Sequence, residues 1–132
     1  MEASMQTNLL KALGDDSRLR ILRLLLIQPF CVTEIMNLLD LTQTNTSKQL
    51  GKLKKTGVIE TRRKDGFTYY QWSATFQTEE PEWTKALAKM LNASPNFPED
   101  LERTKTYLDG NYSCKDLMVD DTLLRQLEEF KK

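Results

Sequence analysis

The chain has 132 residues, 39% hydrophobic and 29% charged, enough for one domain that buries its own core. Its longest unbroken apolar run is residues 24–27, far short of the ~20 a spanning helix needs. Met1-Glu2-Ala3-Ser4 opens no signal-peptide pattern, so no membrane contact and a cytoplasmic location are expected. The 19 Lys/Arg balance the 19 Asp/Glu and histidine is absent, which removes the commonest metal ligand and the default general base.

Met5, Leu9, Ala12 and Leu13 recur at helical spacing over 5–13, and Gly14 ends that helix. Asp15 is a good N-cap for a second helix reaching about Ile27, with Leu19, Leu22, Leu25 and Leu26 as its stripe; Pro29 forbids its continuation. Val32, Ile35, Met36 and Leu39 outline a short third helix, and Leu41 falls in a tight turn. Thr42 caps a fourth helix over 42–56, terminated by Gly57. Its apolar side is narrow, Leu50 and Leu53 with Thr46 one turn earlier, so most of its surface faces something wet or charged. The β-rich runs 58–63 and 67–72 flank Asp65-Gly66, a strong hairpin signal. A helix over 79–91 follows on Trp83, Ala86, Leu87, Met90 and Leu91. Another starts at Pro98 and stops at Gly110. Residues 111–118 read as irregular, and 120–130 as a last amphipathic helix on Leu123, Leu124, Leu127 and Phe130.

The zero net charge hides a division. Residues 1–41 carry net −1, residues 42–72 net +5 and residues 73–132 net −4. A short helix, a tight turn and a polar helix form a helix-turn-helix, and the hairpin after it makes the winged version. The expected fold is mainly α with a β-hairpin wing: a winged helix-turn-helix domain over 1–92 and a helical extension over 93–132. The basic central block points to double-stranded DNA. Gln43, Thr44, Asn45, Ser47, Lys48 and Gln49 are the short donors and acceptors that base edges require. Lys52, Lys54 and Lys55 suit phosphates, and Arg62, Arg63 and Lys64 lie at the wing tip. Two such reading heads, one helical turn apart, would read a palindromic operator. Competing readings are a winged-helix module that binds a protein, and base stacking of a single strand on Tyr69, Tyr70 and Trp72. No Gly-rich phosphate loop and no nucleophile with a base is present, so no catalytic residue is assigned and no enzyme is expected.

Asp15-Asp16-Ser17-Arg18-Leu19-Arg20-Ile21-Leu22 resembles the D-P-T-R-L-R-I-L opening of the ArsR/SmtB repressors. The segment from Leu41 through Thr42, Gln43, Thr44, Asn45, Thr46, Ser47, Lys48 and Gln49 to Leu50 is similar to that family's L-S-Q-S-T-V-S-R-H-L recognition helix. Lys54-Lys55-Thr56-Gly57-Val58-Ile59, the wing at Arg62-Arg63-Lys64-Asp65-Gly66 and Tyr69-Tyr70 extend the likeness over about 9–73. The resemblance implies a homodimeric repressor released from DNA by a chemical signal. It also implies dimerisation through the first helix and the helix after the wing, with Leu9, Leu13, Trp83, Leu87 and Met90 at the interface.

The residues leave the signal open. Cys31 and Cys114 are the two cysteines. Their spacing suits neither a disulfide scaffold nor a four-ligand zinc site, and no metal ligand set is assigned. Phe30-Cys31-Val32-Thr33-Glu34-Ile35 resembles the family's L-C-V-C-D-L metal box, but Thr33 replaces the second cysteine. Three readings of the cysteines stand: a buried packing residue with an incidental partner, a dithiol redox or persulfide sensor, and an arsenite or soft-metal site without other cofactors. A constitutive DNA-binding regulator with no effector is the alternative to all sensing.

Overall fold

In the computed structural model, which describes residues 1–119 and side chains as far as Leu117, helix α1 spans Ala3–Ala12 and α2 spans Asp16–Leu25. The Asp15 carboxylate accepts from the Arg18 N–H at 3.1 Å, the cap its position promised. α2 is the central helix. Ile21, Leu22, Leu24 and Leu25 are all buried, and so is Arg23, because α4, α6, α7 and the sheet surround it. Its buried surface is therefore wider than the one-sided stripe expected from sequence.

A two-residue strand β1, Phe30–Cys31, precedes α3, Val32–Leu38. α4 spans Gln43–Thr56, opened by the Thr42 side chain accepting from the Asn45 N–H and closed by Gly57 at φ 82°. The wing is β2, Ile59–Lys64, and β3, Phe67–Trp72. Asp65 and Gly66 both take positive φ, 52° and 83°, the two-residue turn that matches strand twist. The antiparallel sheet has the order β1-β3-β2. Phe30 pairs with Tyr70 and Cys31 with Tyr69, while Arg62 pairs with Tyr69 and Lys64 with Phe67. The alternation settles the aromatics. Tyr70 and Trp72 share one face with Ile59, joined to the core, and the Trp72 indole donates to the Leu22 carbonyl at 3.0 Å. Tyr69 belongs to the other face.

Helix α5, Ala74–Glu79, fills a stretch for which sequence suggested nothing, capped by Ser73. α6 spans Pro81–Ala93 and α7 spans Pro98–Asp109. α8, Cys114–Val119, is helical where an irregular segment was expected. The helix expected over 120–130, on Leu123, Leu124, Leu127 and Phe130, lies outside the described residues. Tyr107 and Leu117 belong to the same core cluster as Leu9, Ile35 and Leu53, so the extension shares the core of the winged helix. Among the described residues no helix is long and apolar enough to cross a membrane.

Candidate nucleic-acid interface and thiol site

Helix α4 buries Thr46, Gln49, Leu50 and Leu53 and exposes Gln43, Thr44, Ser47, Lys48, Gly51, Lys52, Lys54 and Lys55. The exposed side is the short polar and basic surface that the sequence picked out. Two of the expected reading residues are placed otherwise. Gln49 is only 7% exposed; its amide oxygen accepts from Arg18 Nη1 at 2.6 Å and its Nε2 donates to Asn45 Oδ1 at 2.9 Å. Arg18 also donates from Nε to the Ala12 carbonyl at 2.6 Å. Gln49 therefore ties α4 to the end of α1, with both ends of its amide engaged, and Asn45 is half-buried beside it. The i, i+4 spacing identified the helix face but could not reveal that Arg18 lies across it. Arg62, Arg63 and Lys64 are exposed at the end of β2, with Arg63 Nη1 donating to Thr68 Oγ1 at 2.8 Å.

The residues expected at a dimer interface divide in the same way. Leu9 and Leu87 are buried in this chain's own core, and Leu13 and Trp83 are packed part-buried against it. Met90 is exposed, as are Met5 and Leu10 on α1. The large outward apolar residues of the two helices are thus Met5, Leu10 and Met90, because the Leu9 side of α1 is consumed by packing on α4.

The two cysteines, 83 residues apart, are joined in a disulfide with Cα atoms 6.4 Å apart, within the span that a bridge requires. Cys31 is 3% exposed and Cys114 2%. Cys31 is the N-cap of α3, and the Glu34 carboxylate reaches back to its N–H at 2.9 Å, a capping box. Both sulfurs and a Glu34 carboxylate oxygen lie within 4.8 Å of one another. The Tyr107 hydroxyl donates to the other Glu34 oxygen at 2.5 Å. Burial raises the Glu34 carboxyl above its ordinary value, against the opposing hydrogen bonds from Tyr107 and the Cys31 backbone. Burial likewise raises the Tyr107 phenol, helped by Glu34. Glu34 and Tyr107 were not anticipated. The Cys31-x-x-Glu34 spacing was the available signal for one; nothing local marks the other.

The opposite end of α3 is held as firmly. The Arg103 Nε donates to the Leu38 carbonyl at 2.6 Å and an Arg20 Nη2 donates to the Leu39 carbonyl, satisfying carbonyls that a helix end leaves open. Asp100 orders these cations: Arg20 Nε lies 2.7 Å away, Arg103 Nη2 2.8 Å and Arg23 Nη2 3.4 Å. Arg20 also stacks over Phe97 at 4.2 Å, and Arg23 binds the Asn96 and Phe97 carbonyls at 2.8 and 2.9 Å. α3 is therefore held at both ends, by the covalent bond from the extension at its start and by the guanidinium groups of Arg103 from the extension and Arg20 from α2 at its finish. α3 in turn packs on α4.

Residues 15–61 match the family described as bacterial regulatory protein, arsR family. The arsenic resistance transcriptional regulator ArsR1 of Pseudomonas putida is 34% identical over 80 residues, 60% of this chain and 59% of that protein; the match thus spans less than two thirds of that relative's length. The crystal structure of the transcriptional repressor BigR from Xylella fastidiosa is 30% identical, covering 69% of this chain and 80% of that one, with a TM-score of 0.53. The homodimeric winged helix-turn-helix DNA-binding domain Mb0332 from Mycobacterium bovis, 27% identical, covers 65% of this chain and 80% of that one with a TM-score of 0.55.

Proposed function

Because the chain belongs to the arsR family of winged-helix DNA-binding regulators, which are not enzymes, we propose that it is a homodimeric repressor of a palindromic operator, released by thiol chemistry at Cys31 and Cys114. The observation that carries this reading is the bond from Cys114 to the N-cap of α3, the helix packed on α4. Forming or breaking that bond changes what holds α3 and hence the pose of the reading helix. A ligand or bond that favours one pose couples to DNA affinity by typically ~1–3 kcal/mol.

In this reading Gln43, Thr44, Ser47 and Lys48 meet base edges from the N-terminal half of α4. Lys52, Lys54, Lys55, Arg62, Arg63 and Lys64 neutralise phosphates. Gln49 and Asn45 position the helix rather than touch bases. Met5, Leu10 and Met90, exposed apolar side chains on α1 and α6, supply the two-fold contact with Leu13 and Trp83 at its margin. The Mycobacterium bovis relative is described as homodimeric and the Xylella fastidiosa one as a repressor.

The test is a duplex selected from a random pool by the reduced protein, followed by affinity measurements at fixed salt for reduced and oxidised protein. The expected result is an operator affinity at least fivefold lower for the disulfide form, abolished in Cys31→Ser and in Cys114→Ser. Equal affinity of the two forms sinks the switch. A reporter gene that rises on deletion of the regulator supports repression; one that falls contradicts it.

The buried grouping of Cys31, Glu34 and Cys114 favours a second reading, in which the reduced thiols take arsenite or another soft ion as the signal. The two sulfurs, bonded to each other in this structure, and a Glu34 carboxylate oxygen lie within 4.8 Å of one another; once reduced, the two thiolates and the carboxylate are a donor set of suitable softness. Native mass spectrometry of the reduced protein with arsenite decides it: one bound arsenic per chain, lost in either serine variant, supports this reading.

A further inference from the structure

A cleft of about 820 Å³ runs between the outer face of the wing and the segment around α8. Among the described residues its charged lining is Arg62, Lys64 and Lys115 against the single acid Asp65, and Phe67 and Tyr69 are its aromatic lining. The thiol site lies behind its wall. Tyr69 is the cross-strand partner of Cys31, and Ser113 and Lys115, both lining the cleft, are the chain neighbours of Cys114. The disulfide itself is almost wholly covered, so a reagent reaches it only where its cover yields. α8 is six residues long, too short to be stable without its packing; Leu117 and the bond to Cys31 hold it, and opening this one segment costs less than global unfolding. Cys31, by contrast, lies within the sheet and caps α3. Cys114 is thus the sulfur that opening exposes, and it opens into a basic cleft.

We propose that this cleft binds an anionic, carboxylate-bearing low-molecular-weight thiol and delivers it to Cys114 for thiol–disulfide exchange. The inference rests on reading Cys31 and Cys114 as a redox pair, and it names the class of reagent that pair meets. The bound thiol loses its proton to water, and the thiolate attacks Sγ of Cys114. A new S–S bond forms as the Cys31–Cys114 bond breaks, and Cys31 leaves as a thiolate that takes a proton from water. A second thiol, deprotonated in the same way, attacks the small-molecule sulfur of the mixed disulfide. Cys114 departs as thiolate and is protonated, and the small-molecule disulfide is released. The protein gains two electrons, and two thiols are oxidised to one disulfide.

The experiment uses the oxidised full-length protein and three probes: mercaptosuccinate, 2-mercaptoethanol and cysteamine. Reduction rates are each divided by the rate of the same thiol with a small uncharged disulfide, which removes differences in intrinsic reactivity. The dianion is expected to exceed the neutral thiol by about tenfold, at the low end of electrostatic focusing. It should also saturate with concentration and lose its advantage at 1 M salt. In Lys115→Glu, and separately in Arg62→Gln/Lys64→Gln, the ratio of anionic to neutral rates should fall toward one. A ratio near one in the wild type, or one that neither variant alters, overturns the proposal. Operator affinity of the two end states is measured apart from these rates. Equal affinities would refute the regulatory reading without touching the charge preference, and a lost preference would refute the cleft without touching the switch.

Discussion

Asp100→Ala removes the carboxylate on which Arg20, Arg23 and Arg103 converge. The aspartate side chain is 3% exposed and two of its partners, Arg23 and Arg103, are buried. Removing one member of a buried ion pair costs about 3–5 kcal/mol, because the remaining charge is stranded away from water. Here three cations lose one anion, yet each keeps a backbone carbonyl: Leu39 for Arg20, Asn96 and Phe97 for Arg23, Leu38 for Arg103. Those contacts hold the expected loss within that range rather than multiplying it. Asp100 also sits in the first turn of α7, where a negative charge adds about 0.3–1 kcal/mol. Against a domain stability of about 5–15 kcal/mol the sum is about a fifth or more of the total. Urea unfolding should show a midpoint lowered by that free energy divided by the m value, and limited proteolysis should cut first between 93 and 98, where the Arg23 contacts to the Asn96 and Phe97 carbonyls lose the backing of Asp100. Arg20→Met should cost less than Asp100→Ala, because it leaves the carboxylate two partners. A loss below about 1 kcal/mol for Asp100→Ala, or the reverse order of the two variants, would refute this account of the buried cluster.

Four further outcomes follow from the same geometry. Gly51 lies on the exposed side of α4 with open space around an added Cβ, so Gly51→Ala should raise stability by about 1 kcal/mol. On the face assigned to the duplex the methyl should lower operator affinity, and unchanged affinity would remove that residue from the contact. Glu34 titrates above its ordinary 4.5 in the folded state, so the folded chain holds that proton more tightly than the unfolded one. Its contribution to stability falls as pH rises from 4.5 through the folded value; the difference in unfolding free energy between wild type and Glu34→Gln, measured across pH 4–8, should shift in favour of the glutamine as pH rises. Reduction of the disulfide, which closes a separation of 83 residues, should lower stability by up to about 4.7 kcal/mol on the chain-entropy account, read as a shift in the urea midpoint. Finally, Arg62→Ala and Arg63→Ala should each weaken binding to many duplexes alike and flatten the salt slope by about one unit; equal losses at every salt concentration would take the wing off the phosphates.

Local chemistry by itself determined the winged helix-turn-helix. Thr42 and Gly57 bound α4, Asp65-Gly66 turns the wing, and the narrow stripe of Thr46, Leu50 and Leu53 marks the buried side. Each of these signals acts within one or two turns of the residue that carries it, so a single sequence displays it. What the tertiary structure alone decided is what meets α3. Asp100 reaches Arg20 across 80 residues, Tyr107 reaches Glu34 across 73 and Cys114 reaches Cys31 across 83. Gln49 turned inward for the same kind of reason, an arginine 31 residues away. Periodicity tells which side of a helix is buried but not which distant side chain arrives there. The partners of a buried charge or thiol are chosen by how the elements pack, and only the assembled core holds that information.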